Sequence, residues 1–515
     1  MPHYLGAVDQ GTTSTRFIIF DKTGSILAES RRAHDQICKK PGWVEHDPAR
    51  IWENTCAVIT EALEKSGISG TDLCAVGVTN QRETVTAWDR HTGKPLYNAI
   101  VWQCARSDEI CRDLDAVHGK DCFRQKTGLP TATYFSGPKI KWLMDHVPAV
   151  RLAVENGSAL FGTMDTWVIW HLTGGPGKGS HVTDVTNASR TLLMNLETLD
   201  WDTDILNTLE IPARCLPRIV PSSDPSAFGK TDENGPLKSA VTVGGALGDQ
   251  QAALFGHTCL LPGEAKNTYG TGCFLLCNTG SAITFSNHGL LTTLGYQIHG
   301  HPPVYALEGS IAYAGALVQW LRDNLGLISA APEIEALAGT VEDNGDVYCV
   351  PAFSGLFAPY WRSDARGVIT GLTQFANSGH IARAVLEACA FQTRDIVEAM
   401  SRDLGREKGL SSLKVDGGMV ANNLLMQFQA DILNIPVIRP MILETTALGA
   451  AYAAGLAVGL WPDPGSLKKN WQIHTTWEPD MGDACRNRLY AGWKKAVQKS
   501  MAWKETEPRK SGLNF

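Results

Sequence analysis

One loop pattern occurs in each half of this chain and constrains its fold more than any other feature. In the first half, the apolar run Tyr4–Val8 delivers Asp9-Gln10-Gly11, then four hydroxyl side chains (Thr12-Thr13-Ser14-Thr15) and Arg16. In the second, a strand-like run beginning near Glu264 delivers Asn267-Thr268-Tyr269-Gly270-Thr271-Gly272. Glycine at such a turn lets successive backbone N–H groups face phosphate oxygens, and the hydroxyls add donors. Asp9, at a strand end, is the kind of carboxylate that holds hydrated Mg²⁺, which takes one or two carboxylates plus phosphate oxygens. Gly-Thr-Thr-Ser alone reads as a polar hairpin turn, but Asp9 before it and Arg16 after it shift the first loop toward phosphate binding; the second loop alone also fits one more Gly-rich turn. Two of them, one per half, predict a nucleotide clamped between two α/β units. The GxxxxGK[ST] spacing is absent, which argues against a P-loop fold.

A chain of 515 residues is too long for one core, and two large domains are expected, 1–256 and 257–515, with the boundary near Gly256–Gly263. In the first half, strands are read at Tyr4–Val8, Arg16–Asp21 and Ser25–Ser30. A helix then starts behind the cap Asp47, with Pro48 in its first turn, and runs to about Lys65 before Gly67. The β-branched run Cys74–Thr79 reads as a buried parallel strand. In the second half, Ala240–Gly244 and Glu264–Cys277 are strand-like, and Ala306–Glu308 leads into a helix ending near Gly326. Gly379–Leu404 is a long amphipathic helix, and the strand Leu413–Val415 precedes Asp416-Gly417-Gly418 and a helix from Asn422 to Leu433. The longest apolar stretch, Ala447–Trp461, falls short of the ~20 residues of a membrane span and is rich in Ala and Gly, which predicts a tightly packed interior helix. The polar tail Glu505–Phe515 is expected to fray.

Lys and Arg number 46 against 53 Asp and Glu, without a basic stripe, so nothing favours a nucleic-acid or membrane partner. The 13 cysteines lack CxxC spacing, so thiols in a reducing compartment are expected, and the N-terminus reads as a strand, not a signal peptide. A cytoplasmic protein is the expectation.

Other segments suggest an acceptor for the phosphate. Asn80-Gln81-Arg82-Glu83 follows a buried strand and sets a cation beside a carboxylate, a pair that can bind vicinal hydroxyls or form a surface ion pair. Gly248-Asp249-Gln250-Gln251 opens an apolar helix, where Asp249 can serve as N-cap or as a general base. Trp102 and Phe274 can wall a carbon skeleton or belong to the core.

Together, Asp9–Ser14, Asn80–Thr84, Trp102-Gln103-Cys104, Tyr134-Phe135-Ser136-Gly137, Gly248–Leu254 and Asn267–Phe274 resemble the FGGY carbohydrate kinases of the actin-like ATPase superfamily, and within them the members that phosphorylate glycerol. The resemblance runs from Tyr4 to about Trp503, with the motifs in the expected order. It implies two ribonuclease-H-like α/β domains flanking a catalytic cleft. It implies MgATP-dependent phosphorylation of glycerol to sn-glycerol 3-phosphate, by in-line transfer with an Asp general base, feeding glycerol catabolism and glycerolipid synthesis. By motif, Arg82, Glu83, Tyr134, Asp249 and Gln250 would bond glycerol while Trp102 and Phe274 pack on its carbons. Thr12, Thr13, Ser14 and Arg16 would meet the phosphates, with Thr271 opposite. Gly315, Gln319, Gly418 and Asn422 would line the nucleoside pocket. Asp9 would position Mg²⁺, and Asp249 would be the base. The family further implies a homodimer or homotetramer. Asp232–Lys238 stands where some members carry a loop for inhibition by fructose 1,6-bisphosphate, and it lacks that pattern. Two rival readings are a kinase for xylulose, ribulose or gluconate, and a non-catalytic ATP switch.

Overall fold

The computed structural model describes residues 3–405 and 409–504; the tail Glu505–Phe515 lies outside the described residues. Two sheets organise the chain, and each is built around one of the two loops. In the first, Tyr4–Gln10 and Ser14–Asp21 form an antiparallel hairpin extended by Ile26–Ala33. On the other side of Tyr4–Gln10 lie Leu73–Asn80 and then Thr242–Gly248, both parallel to their neighbours. The second sheet repeats this plan. Ala265–Tyr269 and Cys273–Gly280 are the hairpin, Val304–Ile311 extends it, and Leu413–Asp416 and Val437–Pro440 are the parallel strands. Leu291–Tyr296 and Ile473–Trp477 close its two edges. The shared order of three antiparallel and two parallel strands is the ribonuclease-H-like topology expected.

Local chemistry sets the element ends. Asp47 caps the helix Pro48–Ser66, its side chain accepting from Ala49 N at 2.9 Å, and Gly67 ends it in the left-handed region at φ 70°. The segment Glu264–Cys277 is two strands, because the Gly270 N–H turns back onto Gly272 O at 2.9 Å. Ala306–Glu308 lies inside the strand Val304–Ile311, and the helix that follows is Gly315–Asp323.

The Ala/Gly-rich stretch forms the helix Thr445–Ala457, and the chain then folds Trp461 back onto Gly455. Chain order assigns this helix to the second unit, yet it packs on the first sheet and on the helix Asp249–Gly256. The approach is backbone to backbone. A Cβ on Gly449 would stand 1.8 Å from Ala252 O, and one on Gly77 would stand 2.1 Å from Ala450 O. Only glycine permits such a crossing. Among the described residues, no helix is long and apolar enough to cross a membrane.

Candidate active site

Asp9, Arg82 and Asp249 stand at or just beyond the C-terminal ends of three adjacent parallel strands of the first sheet. In α/β sheets of this kind, such ends open into the crevice where ligands sit. The loop Gly11–Thr13 turns tightly, with the Gly11 N–H bonded to Ser14 O at 2.9 Å. Facing it from the second sheet is Gly270-Thr271-Gly272; Gly272 lies against Ile311 O, where a Cβ would come within 2.2 Å.

Between these loops is a cavity of about 640 Å³. The first half contributes Thr12, Thr13, Arg82, Glu83, Trp102, Tyr134 and Asp249, and the second contributes Thr271, Phe274 and Gln319. Ten of the residues singled out from sequence therefore meet in one space. Trp102 donates its indole N–H to Thr12 Oγ1 at 3.0 Å and stands edge-on to Tyr134 and Phe274, with ring centroids 5.7 and 6.4 Å away. The three rings give the cavity apolar walls beside charged groups.

Those charges form one buried chain. Arg82 makes a bidentate pair with Glu308, at 2.5 and 2.8 Å, and its Nη1 also donates to Gln251 Oε1 at 3.1 Å. Arg82 Nε lies 3.2 Å from Asp249 Oδ1. Arg190 Nε donates to Glu83 Oε1 at 2.6 Å, and Arg190 Nη2 lies 3.3 Å from Glu308 Oε1. Arg82, Arg190, Glu83 and Glu308 are all essentially excluded from solvent. Three of the five N–H protons of Arg82 are thus hydrogen-bonded, and its Nε faces Asp249 as an ion pair, which leaves donor capacity for a ligand. Glu83 is held at φ 60°, a conformation uncommon for a residue with a side chain, as expected where the local fold over-determines the backbone.

Asp249 differs from its neighbours. It is the first residue of its helix, after Gly248, so the capping reading does not apply, although its Oδ1 accepts from the Gln250 N–H at 2.7 Å. Its side chain keeps 29% exposure toward the cavity. Burial of the surrounding cleft raises its pKa to about 6, partly opposed by Arg82. For Glu308 burial also pushes upward, but Arg190 and Arg82 outweigh it and hold the carboxyl down at about 2. Two carboxylates that share the Arg82 guanidinium are thereby tuned in opposite directions, Glu308 downward and Asp249 upward.

The remaining candidates lie around this space. Arg16 is clamped between Asp9, at 2.5 Å, and Glu444. With Gly418, Asp416 and Thr268, Arg16 lines a second cavity of about 290 Å³. Gly315 opens its helix with its N–H on Gly270 O at 3.0 Å, and a Cβ there would stand 3.5 Å from Met419 Sδ, so the Gly270 loop and the Gly417-Gly418 loop converge on it. Ser14 sits in a strand and accepts from Arg31 Nε at 2.9 Å, Asn422 caps the helix Asn423–Leu433 through Leu425 N, and Gln250 accepts from Lys266; none of the three lines either cavity. Asp9 is buried, with Arg16 on its Oδ2. Among the described residues, no group of three or more His, Cys, Asp or Glu forms a metal cage. A single carboxylate at a phosphate-binding loop suits Mg²⁺, which arrives with water and phosphate oxygens as its other ligands.

Glu308, Arg190, Gln251 and Lys266 are functional candidates that sequence reasoning did not single out. The one visible signal was an ionisable side chain inside an apolar β-run, at Glu308 and at Lys266.

Residues 4–256 match the N-terminal domain, and residues 265–458 the C-terminal domain, of the FGGY family of carbohydrate kinases. The chain belongs to this family. It is 61% identical to the glycerol kinase of Chloroflexus aurantiacus over 98% of this chain and 100% of that protein, and 60% identical to the glycerol kinase of Azorhizobium caulinodans over the same shares. Among solved structures, Plasmodium falciparum glycerol kinase with ADP superposes with a TM-score of 0.89 at 40% identity, covering 96% of this chain and 98% of that one. A xylulose kinase from Lactobacillus acidophilus reaches 0.82 at 21% identity, over 96% of each chain, which shows the common fold.

Proposed function

We propose that the protein transfers the γ-phosphoryl group of ATP to glycerol, giving sn-glycerol 3-phosphate and ADP. The observation that carries this reading is the part of the larger cavity where Trp102, Tyr134 and Phe274 meet the Arg82, Glu83 and Asp249 side chains. Three rings suit the carbon edge of a short polyol, and the charged groups suit its hydroxyls. Relatives that bear the name glycerol kinase at about 60% identity over nearly the whole chain support the same substrate.

In this reading Arg82 donates a remaining N–H to a glycerol hydroxyl, while Glu83, fixed by Arg190, accepts from another. Asp249 takes the proton of the attacking hydroxyl as its oxygen bonds to the γ-phosphorus, and the bond from that phosphorus to the bridging oxygen breaks to release ADP. With a pKa near 6 it is mostly ionised at neutral pH, yet more basic than an ordinary carboxylate. Phosphoryl transfer depends mainly on alignment and charge neutralisation, so a base that acts late is sufficient. Thr12 and Thr13 from one side and Thr271 from the other line the path of the phosphates. Asp9 would hold Mg²⁺, which neutralises phosphate charge when bound with ATP. The first half supplies most of the polyol side, with Phe274 added from the second half, the second half supplies the nucleoside side, and closure between them excludes the water that would otherwise accept the phosphoryl group.

Phe274→Ala tests the pocket. Losing one aromatic wall removes about 2 kcal/mol of apolar contact, so kcat/KM for glycerol should fall at least tenfold while a five-carbon polyol gains relative to it. Unchanged selectivity would contradict the assignment. Asp232–Lys238 carries two acidic side chains and one lysine, so fructose 1,6-bisphosphate should leave the rate unaltered; a dose-dependent loss of activity would count against that.

A further inference from the structure

Lys266 is a fully buried cation between the two cavities, and no step of the proposed reaction uses it. Its Nζ donates to Gln250 Oε1 at 2.6 Å, to Thr268 Oγ1 at 2.9 Å and to Phe274 O at 3.2 Å. An ammonium has three protons and no acceptor, so its capacity is filled. Each of these bonds fixes something. Gln250 must turn its carbonyl oxygen toward Lys266, which leaves its NH₂ as the free end beside Asp249. Phe274, a wall of the larger cavity, is tied through its backbone. Thr268 accepts from Lys266, so its own hydroxyl proton is directed elsewhere.

On that far side lies the glycine loop. Thr268 and Asp416 are register partners on adjacent parallel strands, and both line the smaller cavity. Asp416 also accepts from His257 at 2.9 Å and from the Thr445 hydroxyl. Burial would raise Asp416, but His257, the charge of Lys266 and Thr268 outweigh it and keep the carboxyl below its ordinary value. The acidic and basic groups that act on Lys266 are Asp416, Asp249, Arg82 and Glu308, drawn from both sheets. One ammonium on the second sheet is therefore bonded to a helix of the first half and to the wall of the polyol compartment, and it adjoins the strand that ends in Gly417-Gly418.

We propose that Lys266 is a positioning residue that couples the polyol pocket to the Asp416-Gly417-Gly418 loop, so that glycerol and nucleotide each bind more tightly in the presence of the other. The proposal rests on reading the Trp102–Phe274 end of the larger cavity as the polyol subsite and the smaller cavity as part of the nucleotide subsite. Linkage requires the enhancement to be reciprocal, and coupling of this kind is typically about 5- to 150-fold.

The test is calorimetric titration of glycerol into the full chain, with and without saturating MgADP, for wild type, Lys266→Met and Thr268→Val. Wild type should bind glycerol at least fivefold tighter with MgADP, and the reverse titration should give the same factor. Lys266→Met should weaken glycerol binding alone by about tenfold and bring the ratio close to one. Thr268→Val keeps the bonds to Gln250 and Phe274, so glycerol affinity alone should stay within about twofold while the ratio still collapses; it decides the matter if Lys266→Met does not fold. A merely structural lysine would lower both affinities and leave the ratio intact, and that result would overturn the proposal, as would a wild-type ratio of one. A wild-type chain that binds neither glycerol nor MgADP would instead overturn the function on which the proposal rests.

Discussion

Replacing Glu308 with Gln should remove the anchor of the buried charge chain without changing its shape. Arg82 and Arg190, both sealed from solvent, share this one carboxylate across the boundary between the sheets. Burial opposes the pairing, and the net drop from the ordinary 4.5 to about 2 corresponds to a net stabilisation on the order of 3 kcal/mol. That agrees with the roughly 3–5 kcal/mol usually lost when one partner of a buried ion pair is removed. The sign follows from a depressed carboxylate. The stabilisation is fully present above pH 4.5 and is lost as pH falls toward 2. Thermal unfolding followed from pH 7 to pH 3 should therefore show Glu308→Gln melting several degrees below wild type at neutral pH, with the gap closing in acid. Because Arg82 would be free to move, KM for glycerol should rise by at least an order of magnitude. A variant with wild-type melting temperature and wild-type KM at pH 7 would refute the claim that Glu308 holds this site together.

The other expectations are simpler. Asp249→Asn should lower kcat by about 10²- to 10⁴-fold, the usual contribution of a general base, while MgADP affinity measured by calorimetry stays within a few-fold. In the wild type, kcat/KM should fall about tenfold per unit below pH 6, where Asp249 becomes protonated, and a profile flat to pH 4.5 would exclude it as the base. Gly449→Val should cost at least the 1–3 kcal/mol typical of overpacking, because its Cβ would stand 1.8 Å from Ala252 O; a normal melting temperature would show that the two helices part easily.

The sequence made some of this site visible and hid the rest for a physical reason. Asp9 lies at a strand end, Thr12, Arg82 and Asp249 lie just beyond strand ends, and Thr271 sits in a Gly-rich loop, where backbone geometry and side-chain chemistry point the same way. The second sheet could be anticipated because its loop repeats the plan of the first. Glu308 and Arg190 carried no comparable mark. Glu308 lies 226 residues from Arg82, and Glu83 lies 107 from Arg190, so each pair exists only through tertiary folding. Arg16 was legible as a cation beside a phosphate loop, but its clamp between Asp9 and Glu444 needed a partner 428 residues away. The helix Thr445–Ala457 betrayed its tight packing through Ala and Gly, yet chain order could not reveal that it rests on the first sheet.

The central claim is tested most directly by ADP release from the purified protein with MgATP and glycerol, dihydroxyacetone, xylulose, ribulose or gluconate, together with identification of the product. The account predicts turnover selective for glycerol and sn-glycerol 3-phosphate as product. Selective turnover of a five- or six-carbon substrate, or ADP release that does not depend on any acceptor, would contradict it.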